Sequence, residues 1–241
     1  FQPDFLLFLN AGSQTTIANN TVTAGAAFGL GMATSSVDEG AYSMGGGDAS
    51  VVLAGHSQSS ISTILAHTAP GGETATALDV VADLTSLNSN GFTLNVTNGP
   101  TAIMRLPYLA IKGGQHRIQE FTQATSAGSQ ATTNAGFQPV GLAMFSNNDT
   151  AANAANTVAT PAAKFSFGTA TSTNGNSIWK HLVDASANSD AASLATTTKI
   201  MVMATAPSTI NAHASLTSLD ATGFTLNWGG ADATARKIIY W

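Results

Sequence analysis

The chain has no cysteine, few charges and no long apolar run, and each absence removes a class of function. Without cysteine there is no disulfide, no thiolate nucleophile and no cysteine-ligated zinc. Stability in an oxidising setting would then come from burial or oligomerisation. Only 8 Lys and Arg stand against 13 Asp and Glu, a formal net charge of −5, which gives no basic footprint for nucleic acid or an anionic membrane. Charged residues make up 9% of the chain, where globular domains average about a quarter. A helical cytosolic enzyme would carry Glu and Lys along its helices. Their scarcity points to strands and loops whose polar surface is Ser, Thr, Asn, Gln and Gly, in a protein that works outside a cell or in a particle. No apolar stretch approaches membrane-spanning length and no signal peptide is visible. The sequence opens at Phe1 inside a motif and closes at Ile238-Ile239-Tyr240-Trp241 in mid-strand pattern, so the expectation is a segment of a longer chain.

What is present is a repeat. At 241 residues and 44% hydrophobic content the chain has room for one large domain or two small ones. FQPDFLLFLNAG from Phe1 matches FQPVGLAMFSN from Phe137, and FGLGMATSS from Phe28 matches FSFGTATST from Phe165. Asp48-Ala49-Ser50 matches Asp184-Ala185-Ser186, and TILAHTAP ending at Pro70 matches IMVMATAP ending at Pro207. Last, LTSLNSNGFTLNV from Leu84 matches LTSLDATGFTLNW from Leu216. The landmarks keep one order at a nearly constant offset, which indicates internal duplication.

Within the repeats the hydrophobic pattern is that of strands. Phe5-Leu6-Leu7-Phe8-Leu9 is a continuous apolar run, as in a strand buried on both faces. Gly91-Phe92-Thr93-Leu94-Asn95-Val96 and Gly223-Phe224-Thr225-Leu226-Asn227-Trp228 alternate after a Gly turn, as half-buried strands do. Turns at Asn98-Gly99-Pro100 and Gly229-Gly230 lead to the expectation that Met104–Leu109 and Lys237–Trp241 return as their hairpin partners. The Ala-rich stretch Ala151–Ala155 is the best candidate for a turn of helix. Between the repeats, Ile118–Thr122 alternates and Gln130–Thr133 is strand-compatible, so this stretch is read as the opening strand or hairpin of the second unit. Its counterpart in the first unit would precede Phe1. The expected fold class is all-β: two tandem antiparallel β-sandwich (jelly-roll-like) units related by duplication, residues 1–112 and 113–241.

These landmarks resemble a group of phage-associated virion proteins. The shared pattern is carried by Gly136-Phe137-Gln138-Pro139, by Phe167-Gly168-Thr169-Ala170-Thr171, and by Asp220-Ala221-Thr222-Gly223-Phe224-Thr225-Leu226-Asn227-Trp228. Tyr108-Leu109-Ala110-Ile111-Lys112-Gly113 closes the first unit in the same style. The first unit departs by having Val96 in place of the Trp and Asn88 in place of the Asp. The resemblance covers most of both units and implies a β-sandwich virion component, with no enzymatic activity, cofactor or catalytic residue attached to it.

The chain also contains short motifs that chemistry could use. Gly55-His56-Ser57-Gln58-Ser59 after a short apolar run resembles a nucleophile elbow, and Asp79 or Asp83 with His116 would complete the chain order of a hydrolase triad. The repeat opposes that reading. The residues after Ser57 align with the strand-like Ile200–Pro207, the His56 position holds Ala192, and Ser59 stands where the turn needs glycine. A surface loop is the expected setting of Ser57, which aligns with Ser193. His56, His67, His116, His181 and His213 show no metal-ligand spacing. Asp38-Glu39-Gly40 lacks the further carboxylates of a calcium loop and reads as a solvated turn, while Asp48 and Asp184 suit chain reversals. Asn19, Asn95 and Asn148 each begin a glycosylation triplet of the kind an Asn- and Thr-rich chain produces by chance. Trp179, with His181 two residues on, has two readings: core packing, or an exposed ring that stacks on a sugar.

The expectation from sequence is therefore a non-enzymatic structural component of a phage virion, located in the particle or extracellular. Its partners would be other copies of itself and other virion proteins. A module binding a host surface glycan or receptor, through Trp179 and His181, is the alternative. No cofactor, no metal, no nucleic acid and no membrane enter either reading.

Overall fold

The computed structural model describes residues 1–10, 26–46, 55–68, 78–99, 105–150, 162–183, 190–206 and 209–241. The Ala151–Ala155 stretch lies outside them, as do Asp48, Asp184 and Asn19. Among the described residues the secondary structure is all-β, in antiparallel sheets, with no helix. Two compact units are formed, one chiefly from Phe1–His116 and the other from Arg117–Ala152, Lys164–His181 and Asp190–Trp241.

In the first unit, β1 (Phe5–Asn10), β2 (Ala26–Ser35), β3 (Asp38–Gly46), β4 (Gly55–Ser60) and, after an excursion, β8 (Tyr108–Ile111) make a five-stranded sheet. Its order is β4-β3-β2-β1-β8. The excursion, β5 (Leu65–Thr68), β6 (Leu78–Asn88) and β7 (Gly91–Asn98), makes a three-stranded sheet in sequential order. Leu6, Phe8 and Ala33 of the larger sheet share one buried cluster with Val80, Ala82 and Leu84 of the smaller, so apolar faces of the two sheets meet as in a sandwich.

The second unit opens with β9 (Gln119–Thr122) and β10 (Gly128–Thr132), then continues with β11 (Leu142–Ser146), β12 (Ala162–Ala170), β13 (Gly175–Val183) and β14 (Asp190–Thr196). It ends with β15 (Met201–Ala206), β16 (Thr209–Asp220), β17 (Gly223–Gly230) and β18 (Lys237–Tyr240). The sheets run β14-β13-β12-β11-β18-β9 and β10-β17-β16-β15. Raising every strand number of the first unit by ten reproduces these orders, with β9 and β10 added at one edge of each sheet. The irregularities recur as well. The β6–β7 ladder shifts between Val81 and Ala82 and between Leu84 and Ser86, and β16–β17 shifts at the aligned His213/Ala214 and Leu216/Ser218. The turn chemistry is shared too: Asn88 Nδ2 donates to Thr93 Oγ1 at 2.9 Å, and Asp220 Oδ2 accepts from Thr225 Oγ1 at 2.6 Å. The core of this unit places Leu142, Met144, Ile238 and Tyr240 against Met201, Leu216, Phe224, Leu226 and Trp228.

Two sequence expectations need correction. The closing strands are not hairpin partners of β7 and β17; β8 pairs with β1, and β18 pairs with β11 and β9. Crossing to the opposite sheet lets Tyr108 meet Phe92, and Tyr240 meet Phe224, across the core. Both pairs have ring centroids 5.0 Å apart and planes at 82°. A hairpin would have set those rings side by side on one sheet. Likewise β9 and β10 do not form a hairpin, because each joins a different sheet.

Trp228 is 1% exposed and Val96, its counterpart, is 54% exposed. Urea unfolding should therefore show Trp228→Ala losing about 3–5 kcal/mol, whereas Val96→Ala should stay within about 0.5 kcal/mol of the parent. Equal losses at the two positions would contradict this assignment of the core.

Candidate functional site

Strand β13 alternates: Gly175, Ser177, Trp179 and His181 are buried, whereas Asn176, Ile178 and Lys180 are exposed. Period-two alternation puts Trp179 and His181 on one face, where their rings stack at 5.8 Å and 30°. Trp179 packs with Val202 and Ala204 of β15 and against Ala192 of β14. The two residues are thus brought together, but in the core: Trp179 is 3% exposed and His181 2%. An exposed ring for sugar stacking is not present, because Val202 and Ala204 cover it. Neither Trp179 Nε1 nor either nitrogen of His181 has a hydrogen-bond partner. Burial, and secondarily the charge of Lys164, holds the His181 pKa below its ordinary value.

GHSQSS forms β4, paired antiparallel with β3, with Ser57 opposite Met44. Ser57 is 1% exposed in mid-strand and its side chain hydrogen-bonds Tyr42. It is neither on a strand-to-helix turn nor in a surface loop; small Ser side chains alternate along a strand whose neighbours leave little room. Asp83 lies near Glu39, and the His116 ring stacks on Phe5 at 5.2 Å and bonds the Gly113 carbonyl at 2.9 Å. Ser57, Asp83 and His116 are therefore committed to three separate settings. The side chains of His56, His67 and Asp79 lie outside the described residues. His213 is half-buried, its ring pressed against Gly229 so closely that an added Cβ there would fall 2.6 Å from Nε2.

Asp38-Glu39 is not a solvated turn. Asp38 is 4% exposed and accepts from Thr34 Oγ1 at 2.7 Å, while Glu39 is 3% exposed and accepts from the Leu84 amide of the facing sheet at 2.7 Å. Burial pushes the Glu39 carboxyl up to about 7; the Leu84 amide opposes this and the nearby Asp83 adds to it. No three His, Asp or Glu side chains gather as a metal would require among the described residues.

Asn148 is also buried, so it cannot accept a glycan where it stands; Asn95 is exposed on β7. With φ at 60°, Asn148 is the one non-glycine residue of positive φ among the described residues. Its amide is bonded on every side. Nδ2 donates to the Ala204 carbonyl at 3.0 Å, Oδ1 accepts from Ser166 Oγ at 3.2 Å, and its main-chain N–H donates to Ser146 Oγ at 2.9 Å. The Arg236 guanidinium donates to its carbonyl and is held by Asp232 at 2.8 Å. These bonds hold the left-handed residue at a corner of the unit.

One further feature was not legible in the sequence. A cleft of about 640 Å³ opens over β12, β13 and β14, lined by Phe167, Thr169, Asn176, Ile178, Thr196 and Thr197, among others. Phe167 and Ile178 offer an apolar surface, and the hydroxyls and amide offer uncharged donors and acceptors. Among the described residues, the lining carries no carboxylate, lysine, arginine or histidine. The nearest hint was the alternation in Phe165-Ser166-Phe167, but a cleft shared by three strands is not visible in any one of them.

No protein-family model matches the chain, and neither does any curated protein or any solved structure.

Two outcomes follow for stability. Since the folded Glu39 pKa of about 7 lies above its ordinary 4.5, the folded state binds the extra proton between those values. Stability should thus fall as pH rises through that window. Glu39→Gln should flatten the fall in denaturation series run from pH 4 to pH 8; an unchanged slope would contradict the raised pKa. Trp179→Phe keeps most of the ring and removes a buried unpartnered N–H, so its unfolding midpoint should match or exceed the parent's. Trp179→Ala should lose about 3–5 kcal/mol.

Proposed function

We infer that this chain is a non-enzymatic structural component of a phage virion, in a tail, a fibre or a head decoration, and that it acts by packing against other subunits. The observation that supports this most is one two-sheet plan used twice, in a chain with 9% charged residues. Such a chain offers extended sheet surface and loops for symmetric association. The resemblance of the Phe-Gln-Pro, Phe-Gly-Thr-Ala-Thr and Gly-Phe-Thr-Leu-Asn-Trp segments to virion proteins points the same way. The two units are read as copies of one ancestral unit. Catalysis is not part of the proposal, and the mid-strand setting of Ser57 agrees with that.

The second reading, a module for a host glycan or receptor, is favoured by the cleft of Phe167 and Ile178 rather than by Trp179. An uncharged polar ligand with an apolar face fits that lining.

Immunogold labelling with an antibody to this chain should decorate purified particles at regular positions; particles free of label would sink the structural reading. On a glycan array, the receptor reading expects binding that falls at least about tenfold, roughly 1.4 kcal/mol, in Phe167→Ala. An array without signal would dismiss it.

A further inference from the structure

Three large apolar side chains that stand exposed, Val96 at 54%, Tyr108 at 59% and Leu109 at 52%, lie on β7 and β8 of the first unit. Among the described residues, each of these strands is the last of its sheet and has a hydrogen-bonded neighbour on one side only. Open apolar edges of this kind are what proteins ordinarily pair or cover.

The second unit shows the same two strands covered. There β17, the counterpart of β7, pairs with β10 from Gly128↔Trp228 to Thr132↔Phe224. Strand β18, the counterpart of β8, pairs with β9 from Lys237↔Thr122 to Tyr240↔Gln119. The Phe–Tyr contact across the core is the same in both units, yet Tyr240 is 1% exposed where Tyr108 is 59%. Segment Arg117–Asn134 makes the difference. Phe121 lies 5.7 Å from Phe224 and 6.2 Å from Tyr240, Asn134 Oδ1 accepts the Tyr240 hydroxyl at 2.6 Å, and Gln130 Oε1 accepts Trp228 Nε1 at 2.7 Å. β10 also runs so close to Gly223 that an added Cβ would fall 1.8 Å from the Thr132 carbonyl oxygen, whereas Gly91 has nothing within 4 Å.

The lead-in to each unit is matched as well. Gln2 Nε2 donates to the Leu87 carbonyl at 2.8 Å, and Gln138 Nε2 donates to the aligned Leu219 carbonyl at 3.0 Å. Both Phe-Gln-Pro stretches are thus anchored alike, and the chain just ahead of Phe137 is the one that covers the second unit.

We propose that the open edges of β7 and β8 are the acceptor for an extended segment of the Arg117–Asn134 kind joined ahead of Phe1, adding one strand to each sheet. Main-chain hydrogen bonds supply the attachment and side chains supply the selection. An apolar side chain at the Phe121 position covers Phe92 and Tyr108, and an amide or carboxylate oxygen at the Asn134 position takes the Tyr108 hydroxyl. The Val96 side chain lacks the indole N–H that Trp228 offers Gln130, so the Gln130 position calls for an apolar residue instead. The acceptor is independent of the virion reading, since it rests only on the comparison of the two units.

Fusing a second copy of Arg117–Gly136 ahead of Phe1 tests it. Amide hydrogen exchange in β7 and β8 should slow by at least about tenfold relative to the unfused chain. The same fusion carrying Phe121→Asp in the added copy should lose that protection. Unchanged exchange in the parent fusion, or equal protection by the Asp variant, would overturn the proposal. So would concentration-dependent protection of β7 and β8 in the unfused chain, which would make a second copy the occupant.

Discussion

Contact between two sheet faces is the interaction from which the rest of each unit follows. With so few charges and no cross-link, stability has to come from apolar area removed from water, worth roughly 25 cal/mol per Å². Leu6 and Phe8 meet Val80 and Leu84 in one unit, and Met144 and Tyr240 meet Phe224 and Trp228 in the other. That demand explains why the closing strand leaves the strand before it and crosses over. Its tyrosine is of more use opposite Phe92 or Phe224 than beside it. It also explains the glycines at Gly168 and Gly175, where Ile200, just ahead of β15, comes so close that a Cβ would meet its backbone.

Polar groups are then distributed by what each sheet can satisfy. Asn148, Ser146, Ser166 and Arg236 bond one another at a corner where the chain must take a left-handed turn. Glu39 reaches across to a main-chain amide of the other sheet, and its raised pKa reflects the cost of that position. Some groups are left over: both nitrogens of His181, the indole N–H of Trp179 and the hydroxyl of Ser177 are buried without partners. Each such group costs about 1–3 kcal/mol, which the apolar burial around it has to offset.

Much of the strand inventory was legible in the sequence, because alternation in Gly-Phe-Thr-Leu-Asn and the run Phe5–Leu9 are local signals. Asn88 and Asp220 turned out to be interchangeable, since either side chain can bond the Thr five residues on. Partner choice was not legible. Whether Lys237–Tyr240 pairs with the strand before it or with β11 is decided by a ring contact across the core, which no neighbouring residue encodes. Burial on β13 was hidden for another reason: Ile178 faces out at 48% exposure while Ser177 and His181 face in, inverting the polarity a reader relies on. In GHSQSS the small polar residues imitate a turn, and only pairing with β3 makes them a strand. The Phe167 cleft needs three strands before it exists.

Where the first unit begins and ends has a mechanical consequence. Phe5 pairs with Ile111, and the Asp4 amide bonds the Ile111 carbonyl at 2.7 Å, so the chain comes in and leaves at one point on adjacent antiparallel strands. A pull between Asp4 and Lys112 opens that ladder from its end, one pair after another, instead of loading all its hydrogen bonds in shear. A unit loaded at those two points yields by peeling, at modest force.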